Sequence, residues 1–233
     1  MSSPVEPSDI SFRNLITAAD LAVLPEFEHR IWGSGGDAVS VNMLVATITE
    51  GGMAIGAFVG DRIVGAVYGF PTREPHVLHS HYMAVDPDFR RLGLGVQLKQ
   101  RQRAWCLDHG ISHVRWTYDP LQLGNAHLNL HALGAVGVAY HIDHYGHLGG
   151  INGALPSDRV TVSWQLELVA ERRLQPSLAV DVPPVSADDI ASSSDAALKA
   201  RLFVRAELAG RIGSGWSLVG VDRDQRRYFL APT

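Results

Sequence analysis

Two histidines separated by one residue, His79-Ser80-His81, are the positions in this 233-residue chain best suited to moving a proton at neutral pH. Imidazole has an unperturbed pKa of about 6.5, so it takes up and returns a proton near pH 7. Residues two apart on a strand point to the same side, about 6–7 Å apart along the chain. A strand over Val77 to Val85 therefore predicts both imidazoles on one face, together with Met83 and Val85. The pair belongs to a wider surplus, because ten of the 11 histidines lie between His76 and His147. Metal ligation is the competing reading. His79/His81 on a strand and His127/His131 on one helical face have ligand-compatible spacing, and His141, His144 and His147 recur every third residue. No His-Glu-x-x-His occurs, and Cys106 is the single cysteine. No metal site is expected, and a metal-dependent hydrolase ranks last among the functional readings.

A second segment carries different chemistry. In Val85-Asp86-Pro87-Asp88-Phe89-Arg90-Arg91-Leu92-Gly93-Leu94-Gly95 a strand ends, a turn follows, and two glycines open a helix. The first turn of a helix has backbone N–H groups without internal partners, and the helix dipole places partial positive charge there. Glycine lets a phosphate approach the backbone, and Arg90 and Arg91 add charge. The segment lacks the Gly-Lys-Ser/Thr of a P-loop and the third glycine of the dinucleotide fingerprint.

The elements that must position these groups follow from periodicity and punctuation. A first strand is expected over Ile10 to Ile16, then a helix with Leu21, Leu24, Phe27, Glu28 and Ile31 near helical spacing, and a second from about Val39 to Glu50. Ala54 to Val59 and Arg62 to Phe70 read as a hairpin around a glycine-first turn at Gly60-Asp61. Val77 to Val85 is a strand and Gly93 to His109 a helix, with Leu94, Leu98 and Trp105 as its apolar face. His113 to Tyr118 is a strand, Asn125 to Leu133 a short helix, and Gly137 to Tyr145 and Arg159 to Val169 are strands. Pro176 to Ser194 reads as a linker. Ser194 or Asp195 caps a helix to about Arg211, and Trp216 to Val221 pairs with Tyr228 to Leu230 as a hairpin. The order excludes simple strand–helix alternation and predicts a mixed sheet with helices on both faces.

Arg90-Arg91-Leu92-Gly93-Leu94-Gly95 resembles the Arg/Gln-x-x-Gly-x-Gly/Ala loop of the GNAT acetyltransferase superfamily. Asn125-Ala126 followed by Leu133-Gly134-Ala135 resembles that family's next motif. The run Trp116 to Leu121, with Asn125-Ala126 and Ser157-Asp158-Arg159, is similar to a branch of bacterial acetyltransferases with poorly defined substrates. The resemblance covers roughly residues 10 to 168. It implies an α+β fold with a central mixed sheet of about seven strands, and acetyl-CoA or another acyl-CoA as cosubstrate. The coenzyme A pyrophosphate would rest on amides from Arg91 to Val96, through Leu92, Gly93, Leu94 and Gly95. The pantetheine arm would pair with the strand backbone at Met83, Ala84 and Val85, and Asn125 would contact it or order the loop. A His-x-His pair at the same distance before the loop resembles the arylalkylamine N-acetyltransferases, where the imidazoles are implicated in deprotonating the amine through water. His81 is the first choice of base and His79 the second.

The family's usual general acid, a tyrosine in the Asn125 helix, is Leu130 here. Tyr140, Tyr118 and Tyr145 are substitutes by sequence proximity, with Tyr140 the selected one. Asp119 could bind an amine and Arg159 a carboxylate. The expected reaction is transfer of an acetyl, or a succinyl, group to the amine of a small molecule by direct attack, since Cys106 has no activating context. The alternative is a CoA-binding module without turnover. The division expected is a flexible 1–9, an acyltransferase domain over 10–170, and a linker, helix and hairpin extension over 171–233, which would close the substrate side or form a homodimer contact through Trp216. Net charge of -4 argues against a nucleic-acid partner. The absence of an apolar run near 20 residues argues against a membrane one. A single cysteine and no signal-like start point to the cytoplasm.

Overall fold

The computed structural model describes residues 9–33, 38–90, 92–146, 148, 153–167 and 174–233. The expected loose start up to residue 8, Arg91, His147 and the end of the strand expected to reach Val169 lie outside the described residues. The chain divides into two compact units, Met1–Val114 and Arg115–Thr233.

The first unit contains β1 (Ile10–Asn14), α1 (Ala18–Leu21), α2 (Val23–Trp32), α3 (Val41–Thr49), β2 (Met53–Val59), β3 (Arg62–Pro71), β4 (Val77–Val85) and α4 (Leu94–Asp108). The two short helices start where side chains can satisfy their free amides: Thr17 and Asp20 form a reciprocal cap on α1, and the Ser40 hydroxyl accepts from the Met43 amide at 3.4 Å on α3. Gly60, with φ +57°, makes the expected hairpin turn between β2 and β3. The strands lie in the order β1-β2-β3-β4, each pair antiparallel.

Helices cover both faces of these strands. Leu15, Leu21, Leu24, Phe27 and Leu44 pack with Ala54, Phe58, Ala66, Tyr68, Tyr82 and Ala84 in one cluster. Each fully buried Leu or Phe contributes roughly 1.5–3 kcal/mol. On the other face α4 sits so close to β3 that a Cβ at Gly65 would lie 3.1 Å from Leu98 and 3.2 Å from Leu94. The buried positions of α4 are Leu94, Leu98, Lys99, Gln102 and Cys106, whereas Trp105 is half-buried and stacks on His109 at 3.9 Å. The predicted apolar face is thus rotated, because Gln102 and Cys106 occupy the sheet side that Trp105 was expected to fill.

The second unit has β5 (His113–Tyr118), which begins at the end of the first, then α5 (Leu123–Ala126), a π-helical turn over His127–Ala132, β6 (Val136–His141) and β7 (Arg159–Gln165). β8 (Leu178–Asp181), α6 (Ala187–Ala191), α7 (Asp195–Leu208), β9 (Trp216–Asp222) and β10 (Arg227–Pro232) complete it. The strand order is β5-β7-β6-β9-β10-β8, and β6–β7, β6–β9, β9–β10 and β10–β8 are antiparallel. The fold is α+β as expected, with ten strands among the described residues rather than about seven.

Part of the excess comes from the segment read as a linker. Leu178–Asp181 pairs with Arg227–Leu230 of β10, a partner far along the chain that local composition does not reveal. Ser186 and Asp189 cap α6 reciprocally. The Ser194 hydroxyl caps α7 as expected, accepting from the Ala197 amide at 3.2 Å. Among the described residues no helix is long and apolar enough to cross a membrane.

Candidate functional site

β4 does not alternate evenly. Tyr82 pairs with Tyr68 and Ser80 with Gly69, so His81 is an extra residue on β4 and forms a β-bulge. The consequence is visible in two side chains two residues apart. Ser80 points to α4, where its hydroxyl accepts from Lys99 Nζ at 2.9 Å and from Gln102 Nε2 at 3.2 Å. Tyr82 points the other way, into the α1–α3 cluster.

The bulge keeps His79 and His81 together, with ring centroids 6.2 Å apart. It also moves them away from Met83 and Val85, contrary to the alternation reading. Val85 pairs with Gly65, which faces α4, and Met83 pairs with Val67 two residues on. His79 instead pairs with Phe70, which packs against the α1–α3 cluster.

The imidazoles therefore share a face with an aromatic group. The His81 ring lies 5.7 Å from Tyr68, 5.7 Å from Phe70 and 6.0 Å from Tyr82, while Phe70 and His79 are 4.9 Å apart. His81 keeps an exposed surface, and its packing among these rings lowers its pKa below the ordinary imidazole value. A base of lowered pKa is neutral, and so able to accept a proton, at pH 7.

Beneath the same face lies a carboxyl that the sequence reading placed among apolar helical positions without a chemical role. Glu28 of α2 is buried, and this burial raises its pKa to about 7 against the pull of the Val39 amide, which donates to Oε2 at 3.3 Å. The Tyr82 hydroxyl lies beside that carboxyl, and its hydrogen bond also pulls against the burial. The signal available in the sequence was a carboxylate inside an apolar stripe.

The phosphate-loop candidates follow β4 directly. Asp86 ends the strand; its carboxylate accepts from the Asp88 amide at 3.2 Å and from Arg62 at 2.9 Å. A 3-10 turn over Pro87–Phe89 leads on, and Arg90, exposed, reaches back with Nε to the Val85 carbonyl at 3.4 Å. Gly93 has φ +73° and caps α4 in the left-handed region, with open space where a Cβ would lie. The Gly93 carbonyl accepts from Gln97 at 3.1 Å, so the amides of Leu94, Gly95 and Val96 precede the helical ladder. Leu92 is exposed and Leu94 buried. Met83 and Val85 are half-buried, and Ala84 is buried in the core. An open turn of free amides with a basic side chain nearby fits an anionic pyrophosphate.

The remaining expected residues belong to the second unit. Asn125 is exposed on α5. Asp119 is buried and gripped by Arg201 through two bonds of 2.7 Å each, with Arg159 Nη1 at 3.9 Å and the Leu121 amide at 2.8 Å. Arg159 is itself buried; its Nη1 donates to the Asp158 carbonyl at 2.9 Å.

The Tyr140 hydroxyl donates to Asp158 at 2.7 Å, and burial together with that carboxylate pushes its pKa well up. Asp158 also accepts from Arg205 at 2.8 and 2.7 Å and from the Asp143 amide at 3.0 Å. Burial acts to raise its pKa, and these donors outweigh it. Leu130 is buried.

His127 stacks on His131 at 4.7 Å and His141 lies 4.6 Å from His144. Among the described residues no group of three or more His, Cys, Asp or Glu is placed to hold a metal ion. Burial pushes the Cys106 thiol up to about 12, which removes it as a thiolate nucleophile.

Comparison with known proteins adds a likeness. Residues 31–134 match the model of the acetyltransferase (GNAT) family. No curated protein sequence matches the chain. Among solved structures, the ribosomal-protein-S18-alanine N-acetyltransferase from Escherichia coli is similar with a TM-score of 0.56 and 16% identity, covering 70% of this chain and 97% of that one. A GNAT-family acetyltransferase from Streptococcus pneumoniae gives 0.55 and 17%, over 67% and 99%. The yncA protein of Salmonella typhimurium, solved with its cofactor acetyl-CoA, gives 0.54 and 18%, over 69% and 96%. At these identities the structures establish a shared fold, and the family match, which spans under half of the chain, marks residues 31–134 as similar to the acetyltransferase (GNAT) family.

Proposed function

We propose that this protein transfers an acyl group from acyl-CoA, acetyl first and succinyl as a further candidate, to the amine of a small molecule by direct attack. The observation that carries the reading is the sequence of two features in one unit: His81 displaced by a bulge onto the aromatic face of β4, and the glycine-capped first turn of α4 a short loop later. Acetyl-CoA supplies an acyl carbon already activated as a thioester. Leu94, Gly95 and Val96 hold the pyrophosphate through their amides, with Arg90 adding charge, and the β4 backbone from Met83 to Val85 receives the pantetheine arm. Arg91 and Asn125 join this set on the strength of the motif.

His81 takes the proton from the substrate ammonium, so that an N–H bond breaks at the amine and one forms on the imidazole. The freed lone pair then attacks the acyl carbon, the bond to sulfur breaks with its electron pair leaving on the thiolate, and the second proton that the nitrogen sheds to become an amide passes to solvent. His79 is the second imidazole within reach. Tyr140 is a weak proton donor in this scheme, because its hydroxyl is committed to Asp158. Departure of the thiolate without a dedicated acid is the favoured course. Asp119 and Arg159 would have to give up existing ion pairs to bind an acceptor.

Isothermal titration with acetyl-CoA and succinyl-CoA tests the reading. Saturable binding of either supports it, and no heat from any CoA thioester at millimolar concentration overturns it. The buried setting of Leu130 and the engaged Tyr140 favour one rival, a CoA-binding module without turnover. Binding without thiol release over a broad amine panel would select it.

A further inference from the structure

Ser80 stands next to the bulged His81 and is held from two directions. It is buried, and two donors of α4 converge on its hydroxyl: Lys99 Nζ at 2.9 Å and Gln102 Nε2 at 3.2 Å. Lys99 Nζ also donates to Gln102 Oε1 at 3.0 Å, and Gln102 Nε2 to Met53 Sδ of β2 at 3.5 Å. On the β3 side Ser80 pairs with Gly69, where a Cβ would lie 2.8 Å from the His79 carbonyl oxygen. Glycine lets the two strands close at that point.

Packing alone does not call for these residue types. Lys99 is 2% and Gln102 0% exposed, and burial pushes the Lys99 ammonium down to about 7. An amine and an amide are costly to bury unless hydrogen bonds compensate. A methionine or leucine at either position would fill the space without that cost. What the polar pair adds is direction. If the extra residue moved one place along β4, Ser80 and His81 would exchange faces of the sheet. The hydrogen bonds from α4 are made only when Ser80 faces that helix, so they select one register of the bulge.

We propose that Lys99 and Gln102 are positioning residues of the acyl transfer: gripping Ser80 from α4, they pin the β4 bulge and so fix the direction in which the His79 and His81 imidazoles face. The catalytic part of this role rests on the acyl-transfer reading; the grip on the bulge does not. The same helix begins at the Gly93-capped turn, and Lys99 lies in its second turn. One rigid element thus sets the spacing between the amides assigned to the pyrophosphate and the base. The role also explains why polar residues occupy the sheet side of α4.

The test reads the imidazole itself, without acyl-CoA. The ring protons of His81 are followed by NMR against pH in the wild type, Lys99→Met, Ser80→Ala and Ser80→Thr. Facing His81 are His79 and Tyr82 of β4 and Tyr68 of β3, with Glu28 of α2 behind the two phenols. Packing among these rings holds the wild-type imidazole below its ordinary value. A loosened bulge frees the ring, so the titration should move up toward the ordinary value in Lys99→Met and Ser80→Ala. Ser80→Thr keeps the acceptor hydroxyl and should stay with the wild type. Lys99→Met exchanges a buried amine for an apolar chain of similar length, and it carries the test if Ser80→Ala does not fold.

Turnover of acetyl-CoA with an amine acceptor supplies the second readout. In Lys99→Met kcat should fall on the order of tenfold while KM for acetyl-CoA stays within about twofold, since the amides of Leu94 to Val96 are untouched. A lysine needed only for folding would change the melting temperature and leave the His81 titration and kcat of the folded protein as they are. A wild-type His81 titration in the folded variants, or a Lys99→Met kcat equal to that of the wild type, would overturn the proposal. Absence of turnover in the wild type, with the titration shifted in the variants, would instead remove the acyl-transfer reading and leave the grip on the bulge standing.

Discussion

Two regions of the molecule bury carboxyl groups, and they surround them differently. In the second unit Asp119 and Asp158 are surrounded by donors: Arg201 grips the first with two bonds of 2.7 Å, and Arg205, Tyr140 and the Asp143 amide fill the second. In the first unit the buried Glu28 carboxyl has the Val39 amide and the Tyr82 hydroxyl beside it, and burial raises its pKa to about 7. A filled network resists change and holds elements in place. A carboxyl buried among hydroxyl and amide donors is instead held close to its protonated form. The difference assigns a structural role to the Asp119 and Asp158 networks. It also moves Asp119, Arg159 and Tyr140 from the reacting set expected from sequence toward the tie between the β5 end and α7.

The largest expected effect lies in the filled network. Asp119→Ala leaves the Arg201 guanidinium, with 2% of its side chain exposed, without its partner. Breaking a buried pair in this way costs about 3–5 kcal/mol. Urea unfolding should show a loss of that size, and a loss below about 1 kcal/mol would place Asp119 outside the structural tie.

The buried Glu28 carboxyl predicts a smaller effect of opposite sense. Glu28 has a folded-state pKa raised from 4.5 to about 7, so its protonated form is the one the fold favours. Its contribution to stability is fully present below pH 4.5 and is lost as pH rises through about 7. Relative to Glu28→Gln, the wild type should lose on the order of 1–2 kcal/mol across that window, after allowing for partial solvent screening. Parallel stability curves for the two proteins from pH 4 to 8 would mean that the carboxyl is not held in an unfavourable site.

The contrast also explains what was legible in the sequence. The hairpin at Gly60-Asp61, the strand over Val77–Val85, the Gly93 cap and the Ser194 cap are local signals, and each appears in the structure where residue chemistry alone places it. The bulge at His81 was not legible, because a register shift depends on how β3 meets β4 and leaves no mark on the alternation of β4 itself. It reverses the side on which Met83 and Val85 lie while leaving the histidine pair intact.

The grip of Arg201 on Asp119 joins residues 82 apart, and β8 finds its partner in β10 across the α6–α7 segment. Such pairings are set by tertiary packing, and a Pro- and Ser-rich composition conceals them. Glu28 was visible as a residue type but not as a buried one, since its burial depends on how α2 packs in the tertiary structure.

The central claim is that His81, on the bulged face of β4, removes the amine proton in acyl transfer from acetyl-CoA. The direct measurement is free-thiol release from acetyl-CoA with n-butylammonium as acceptor at pH 8, comparing the wild type with His79→Ala and His81→Ala. The account predicts measurable wild-type turnover and a fall in kcat on the order of 10²-fold in His81→Ala, with acetyl-CoA binding retained and a smaller loss in His79→Ala. Turnover in His81→Ala equal to the wild type would contradict it.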